Sequence, residues 1–186
     1  MAGNRPSTGL NVMTVQEATN KISQRNVIRV TPTVIAGTTA NGDVMFNATE
    51  IPNAVLTPGG TSSLKCITII DKDAEAHDMD IIFMQVQTNF GTADSASTIT
   101  DANLQAAKVL GAVKLDWTDV DTLVAQDSGS ASIVTFSQWN GDNKGLNPMF
   151  LKAEEGSTSV YFTAIAAEEM AYAATDDLEF VFHIDY

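Results

Sequence analysis

The feature that most constrains the fold is a series of short apolar segments in which hydrophobic residues recur at every second position. The segments 160–165 and 178–185 both alternate in this way. Since successive side chains of an extended strand point to opposite faces, each is predicted to be a β-strand, and 178–185 is predicted to be half-buried. The segments 64–70 and 81–86 are instead almost continuously apolar. This predicts that both lie at the buried centre of the sheet.

Segments of similar character recur along the chain, separated by Gly, Pro, Asn and Asp. Nine are predicted to be strands: 27–35, 44–46, 64–70, 81–86, 112–115, 131–138, 149–152, 160–165 and 178–185. One helix is predicted at 101–110, with Thr100 or Asp101 as its N-cap and Gly111 as its end. Many short strands with one short helix predict an all-β fold, a jelly-roll-like β-sandwich of about eight or nine strands. A seven-stranded immunoglobulin-like sandwich is the alternative, and the lack of alternating strand–helix units excludes doubly wound enzyme folds.

Two local patterns predict how the first strands are placed. Pro32 has no amide hydrogen to give to a sheet, so the strand 27–35 is expected to lie at an edge or to be broken by a bulge. Asn41 and Gly42 readily adopt positive φ angles. They therefore predict a tight hairpin leading into the strand 44–46.

Length and composition bound the class of protein. The 186 residues suffice for one domain of ordinary size, predicted at 27–186. Acids outnumber bases 23 to 10, so the formal net charge is −13. A surface this acidic repels phosphate, and no nucleic-acid partner is predicted. No apolar run approaches the roughly 20 residues of a membrane helix, and the polar start of the chain lacks the apolar part of a signal peptide. No membrane partner is predicted.

The charge is unevenly distributed along the sequence. Residues 1–29 contain four bases and one acid, whereas the remainder contains six bases and 22 acids. Residues 1–26 are rich in polar amides and hydroxyls, and are interpreted as an extended arm. Such an arm is either an unordered terminus or a segment that docks on the acidic body of a neighbouring subunit. The candidate interaction residues are Arg5, Lys21, Arg25 and Arg29.

The segment 71–80 is the strongest candidate for metal chemistry, because it holds five acids and His77. A calcium-binding EF-hand loop requires Gly at its sixth position and Glu at its twelfth, where this chain has Ala76 and Ile82. The segment is therefore interpreted as an exposed acidic hairpin between two strands, with weak binding of Ca²⁺ or Mg²⁺ as the alternative.

Other potentially reactive residues do not form a recognisable catalytic motif. The sequence has no nucleophile elbow, phosphate-binding loop or His-Glu-x-x-His pattern. His77 and His183 are interpreted as surface residues, and Cys66 as a buried structural thiol. Trp117 and Trp139 are each interpreted as a core residue or a contact anchor. No catalytic residue, cofactor or metal ligand is predicted, and the protein is not expected to be an enzyme.

One part of the sequence is similar to bacteriophage virion proteins of the capsid decoration, or cement, type. The residues that carry the resemblance are the run 58–73 and the segment 79–84 that follows it. In such proteins a Gly-rich turn precedes a Leu-Lys-Ser-Ile-Thr-Ile-Ile-Asp-Lys-Asp strand, and a strand of the form aliphatic-Asp-Leu-Leu-Phe comes next. Here Cys66 stands in place of the small polar residue. The resemblance extends over most of 44–186 but does not include the arm.

The resemblance implies a jelly-roll-like homotrimer on the exterior of the virion capsid, where its partner is the major capsid protein. Assembly would take place in the host cytoplasm. A protein of the phage tail, neck or fibre, or an adhesin module, would share the fold and remains an alternative. A carbohydrate-binding or hydrolytic sandwich is a third hypothesis, which requires a cleft lined by aromatic side chains.

Overall fold

The computed structural model describes residues 25–73, 75–117, 123–124, 131–137 and 149–186. These residues form twelve strands and one helix: β1 (Arg25–Val30), β2 (Gly37–Thr39), β3 (Val44–Ile51), β4 (Thr61–Asp71), β5 (Met79–Met84), α1 (Asp101–Ala107), β6 (Val109–Leu115), β7 (Leu123–Val124), β8 (Ser132–Ser137), β9 (Met149–Lys152), β10 (Val160–Ala166), β11 (Met170–Tyr172) and β12 (Leu178–Asp185).

Most strands belong to two antiparallel sheets that pack face to face. One sheet has the order β1-β12-β4-β8-β7, and β9 pairs with the first part of β4. We call it the open sheet. The other, which we call the covered sheet, has the order β3-β10-β5-β6. The short strands β2 and β11 pair with each other.

The connectivity is that of a jelly roll. Eight strands have six or more residues, and four of these lie in each sheet. Along the chain, each of these strands is followed by one in the opposite sheet, except that β5 is followed by β6 in the same sheet. Two four-stranded sheets joined in this manner define a jelly-roll sandwich. The all-β sandwich predicted from the sequence is confirmed, and three short strands, β2, β7 and β11, were not anticipated.

This connectivity overturns two predictions about strand pairing. The turn at Asn41 and Gly42 forms, with Gly42 at φ 88° and the amide of Asp43 donating to the carbonyl of Ala40 at 3.0 Å. It does not close a hairpin, because β2 pairs with β11 and β3 pairs with β10. Similarly, the two continuously apolar strands β4 and β5 are central, but each is central in a different sheet.

The boundaries of β1 and α1 also differ from those predicted. β1 begins at Arg25, so Arg25 and Asn26 lie in a strand, although the sequence assigned them to the arm. As Pro32 predicted, this strand lies at an edge of its sheet and ends before the proline. Thr100 caps α1, but the helix ends at Lys108, whose φ of 48° lets β6 begin at once and include Gly111.

Phenylalanine side chains fill the space between the two sheets. Phe162 of the covered sheet lies edge-on to Phe180 and Phe182 of the open sheet, with ring centroids 4.9 and 5.0 Å apart. Phe46 and Phe83 complete the cluster, and all five side chains are fully buried. Edge-to-face contacts add to the free energy gained by removing these rings from water. The cluster therefore fixes the two sheets against each other.

Candidate interaction surface

The outer faces of the two sheets differ. A long connection that includes α1 lies over the covered sheet, where Phe90 and Ala107 pack on the outward side chains of Ile82, Met84 and Ile165. On the outer face of the open sheet, which we call the open face, several large apolar side chains are accessible. Val27 is 54 %, Ile133 37 % and Phe150 70 % exposed. These are three of the six exposed large apolar side chains in the described part of the chain.

The register of the strands brings these apolar residues together with polar ones. Ile133 of β8 lies beside Ile70 of β4, and Thr135 lies beside Thr68, with their hydroxyl oxygens 2.9 Å apart. Phe150 of β9 lies beside Ser63, near the start of β4. The open face is thus a mixed apolar and hydroxyl-bearing surface, which is the composition expected of a protein contact.

The open face is less acidic than the described residues as a whole. Four bases project from it, namely Arg25, Arg29, Lys65 and Lys152, but only two acids, Glu179 and Asp185. The described residues as a whole contain seven bases and 18 acids. The face therefore has a formal charge of +2 on an otherwise acidic molecule.

Two of the four interaction residues predicted from the sequence lie on this face, and two lie outside the described residues. The side chains of Arg25 and Arg29 are 84 % and 64 % exposed. Arg29 pairs with Glu179 at 2.5 Å, and Arg25 pairs with Asp185 at 3.3 Å. Arg5 and Lys21 belong to the segment that is not described. The structure thus brings Arg25 and Arg29 onto one sheet face, although the sequence analysis grouped Arg25 with the arm.

Lys65, Lys152 and Phe150 were missed by the sequence analysis. Phe150 and Lys152 alternate with the buried Leu151, a signal that was present but weak in so short a strand. Lys65 was missed because β4 contains a bulge, in which Cys66 pairs with His183 but Leu64 pairs with Ile184. The extra residue shifts the alternation of the strand, so both Lys65 and Cys66 are on the outer side.

The bulge also corrects the interpretation of Cys66. This residue is half-buried on the outward side of β4, whereas the sequence predicted a thiol in the core. Partial burial nevertheless raises the pKa of the Cys66 thiol. His183, which pairs with Cys66 in the register, points outward as predicted and is partly exposed.

A shallow groove of about 410 Å³ adjoins the open face where β1 begins. The side-chain amide of Asn26 donates a hydrogen bond to the hydroxyl of Tyr186. This hydroxyl in turn donates one to the backbone carbonyl of Asn53. Leu56 is 42 % exposed in this groove. The residues that line it are Arg25, Asn26, Asn53, Val55, Leu56 and Tyr186.

Acidic residues converge at the opposite end of the open sheet. Asp73 accepts a hydrogen bond from the amide of Ala173 at 2.8 Å, and Glu168 accepts one from the amide of Asp78 at 2.8 Å. Three loops are joined by these and similar bonds. We call the resulting cluster the acidic end, and it consists of Asp73, Glu75, Asp78, Glu168, Asp176 and Asp177. The sequence predicted that one of these loops is acidic, but not that Glu168, Asp176 and Asp177 lie beside it.

The buried carboxylate of Asp71 holds one loop of the acidic end in place. Asp71 is fully buried and accepts hydrogen bonds from the amides of Asp73 and Ala76, both at 2.9 Å. Burial raises the pKa of its carboxyl despite those bonds. Tyr172 is 4 % exposed, and its hydroxyl has no hydrogen-bond partner. Burial raises the pKa of this phenol far above its usual range, and the charge of Asp71 adds to the effect.

The prediction of an exposed acidic hairpin at 71–80 is therefore wrong. The segment joins β4 of the open sheet to β5 of the covered sheet, and its first residue is in the interior. Within the described residues, no group of three or more His, Cys, Asp or Glu side chains has an arrangement that could hold a metal ion. His77 contacts Glu75 at 3.8 Å and Glu168 at 3.4 Å, and only 13 % of its side chain is exposed.

Of the two tryptophans, Trp117 is in the core at 6 % exposure, and Trp139 lies outside the described residues. The helix of the described part of the chain is too short to cross a membrane. In comparisons with known proteins, no protein-family model and no curated protein matches the chain.

Proposed function

We propose that the protein is a non-enzymatic structural subunit of a bacteriophage virion, and that it decorates and stabilises the capsid shell. The resemblance of two segments and the place of those segments in the fold support the proposal. The sequence resembles decoration proteins in the run 58–73 and the segment 79–84. The first of these regions contains β4 and the second coincides with β5, which are central strands of the two sheets of a jelly-roll sandwich.

The open face is the observation that carries the proposal. It offers exposed apolar side chains among ion pairs and hydroxyls on an antiparallel sheet. Surfaces of this composition form contacts between proteins, because apolar side chains supply the burial energy and the surrounding charges select the partner.

Such a subunit would stabilise a shell by mass action. A ligand that binds only the assembled state adds its binding free energy to the stability of that state. When one subunit or oligomer makes several contacts at once, the later contacts form at a high effective concentration and the total affinity rises steeply. A protein whose contacts are individually weak can therefore hold a capsid firmly.

The proposal is tested by mixing the purified full-length chain with expanded phage heads that lack decoration. We expect saturable binding at a fixed number of copies per head, and an increase in the temperature at which the heads disassemble. Arg29→Glu should weaken this binding, whereas Lys114→Glu, which makes the same change of charge on the exposed side of β6, should not. Absence of saturable binding would exclude the proposed role.

Copy number separates this function from the alternative of a tail, neck or fibre protein. Quantitative electrophoresis of intact virions that contain the chain should show hundreds of copies for a decoration protein. A handful of copies per particle would assign the chain to the tail or neck.

A further inference from the structure

We infer that the open face of one subunit binds the acidic end of a second copy of the same chain, in a head-to-tail contact. The inference rests on the proposed function for its setting, a shell on which many copies are held side by side. It names a second copy as the occupant of the open face, so that the weaker head binding expected of Arg29→Glu would follow from loss of a contact between copies that contributes to multivalent binding.

Charged residues are unevenly distributed along the strands of the open sheet. One end of β4 lies beside three bases, Arg25, Lys65 and Lys152. At this end Arg25 is opposite Asp185 in the register of the sheet, and Lys152 is opposite Thr61. The acidic end begins at the other end of β4, where Asp71 pairs with Leu178. Eleven residues of extended strand separate the two ends by about 35 Å. Each subunit therefore has three of the four bases of its open face at one end of β4, and the acidic end lies beyond the other.

Opposite charges meet only if the two copies use different surfaces. Two open faces packed against each other would bring bases against bases, since each face has a formal charge of +2. A head-to-tail contact brings the bases of one copy to Glu75, Glu168 and Asp176 of the next, all three of which are exposed. Complementary charge guides association and fixes the orientation of the partners.

The arm of the same chain is a poorer occupant of the open face. Residues 1–24 contain Arg5 and Lys21 against the single acid Glu17, so the arm and the open face have charges of the same sign. The open face instead requires an acidic partner. The acidic end supplies six carboxylates, and Lys72 is an exposed base beside them.

Contacts between unlike surfaces build either closed rings or open filaments, depending on the rotation that relates successive subunits. The apolar centre of the contact would come from Phe150, Ile133 and Val27, which are the exposed apolar side chains of the open face. Since exposed charges are screened by salt, the association should weaken as ionic strength rises.

The test is sedimentation analysis of the full-length chain over a range of concentrations, in low and in high salt. The wild-type chain is expected to associate, and to do so less at high salt. Phe150→Asp should weaken association about tenfold or more, because it places an acid and removes an apolar side chain at the contact. Ile99→Asp is the matched control, because Ile99 is 44 % exposed but lies in the connection over the covered sheet. It should associate as the wild type does.

A mixing experiment tests the head-to-tail arrangement itself. The double variant Glu75→Lys with Asp176→Lys alters only the acidic end, whereas Phe150→Asp alters only the open face. At concentrations where neither variant associates by itself, an equimolar mixture should form a dimer, since one intact surface of each kind remains. Formation of the mixed dimer would also show that both variants are folded.

Several outcomes would overturn the inference. These are a wild-type chain that stays monomeric at all concentrations, association that Phe150→Asp leaves unchanged, or folded variants, judged by their thermal unfolding, whose mixture forms no dimer. The proposed function fails separately. A monomeric chain that still binds heads refutes the head-to-tail contact alone, and an associating chain that does not bind heads refutes the decoration role alone.

Discussion

The two sheets pack on the same phenylalanine cluster, but their outer faces differ, since one is covered by a connection and the other exposes apolar side chains. Ile82 and Met84 of the covered sheet are buried on that side by the connection that contains α1. Val27 and Ile133 on the corresponding side of the open sheet remain exposed. The difference arises because a connection of the chain covers the outer face of one sheet, whereas large apolar side chains on the outer face of the other remain accessible. The open face is distinguished by the accessibility of its apolar side chains, and the predictions below test that distinction.

The largest effect is expected from a comparison of two phenylalanines. Phe162→Ala should lower the free energy of unfolding by about 3–5 kcal/mol, because it empties the centre of the contact between the sheets. Phe150→Ala, on the open face, should change it by less than about 0.5 kcal/mol, since Phe150 is 70 % exposed. Chemical denaturation measures both. Similar losses for the two variants would mean that the open face is part of the fold's own core.

A smaller effect is expected from the buried carboxyl of Asp71. Burial raises the pKa of Asp71 in the folded state, so protonation favours folding. The contribution of Asp71 to the free energy of unfolding should therefore be greatest at low pH, and should fall as pH rises through the folded-state pKa. Asp71→Asn removes this titration, and so the variant should gain stability relative to the wild type over that range. Urea denaturation at a series of pH values measures the difference.

Tyr172→Phe is the matched control for the Asp71 experiment. It removes the buried hydroxyl that has no hydrogen-bond partner but keeps the carboxyl, so its pH dependence should follow that of the wild type. If the curves of wild type and Asp71→Asn were parallel, Asp71 would not be buried in a charge-disfavouring environment.

The smallest effect is expected from the ion pairs of the open face. Arg29→Ala should change the free energy of unfolding by about 1 kcal/mol or less, because the arginine side chain is 64 % exposed. Lys108→Ala, which breaks an exposed pair between the end of α1 and Glu154, should behave alike. A loss above about 2 kcal/mol for Arg29→Ala alone would show that this pair holds β1 to β12. The measurement is again chemical denaturation.

Local pattern predicted the strands but not their partners. The alternation in 178–185 and 160–165 predicted β12 and β10 almost to the residue, although only β12 keeps a partly exposed face and β10 is buried on both faces. The hairpin at Asn41 and Gly42 failed, since a turn residue determines the direction of the chain only locally. Which sheet receives the next strand depends on burial of both faces at once, and this information is spread over the whole sequence.

The same limit applied to the candidate surface. The charge of Arg25 and Arg29 was evident from the sequence, whereas their grouping with Lys65 and Lys152 depends on the register of four strands. A single inserted residue defeated the prediction at Lys65 and Cys66, because a strict two-residue period assigns Cys66 to the interior. The sequence pattern could not predict that Asp73 and Asp177 converge either, since the two residues are about a hundred positions apart in the chain.

The bulge in β4 has a mechanical consequence for anything that rests on this side of the molecule. It lies where pairing with β9 stops at Leu64 and pairing with β8 starts at Cys66, so a single strand serves two neighbours in succession. Bulges bend a strand and increase its twist. We therefore expect the bulge to divide the surface into two facets that meet at an angle, one bearing Phe150 and the other bearing Ile133. A flat partner could touch only one facet at a time, and a ridged or wedge-shaped one could touch both.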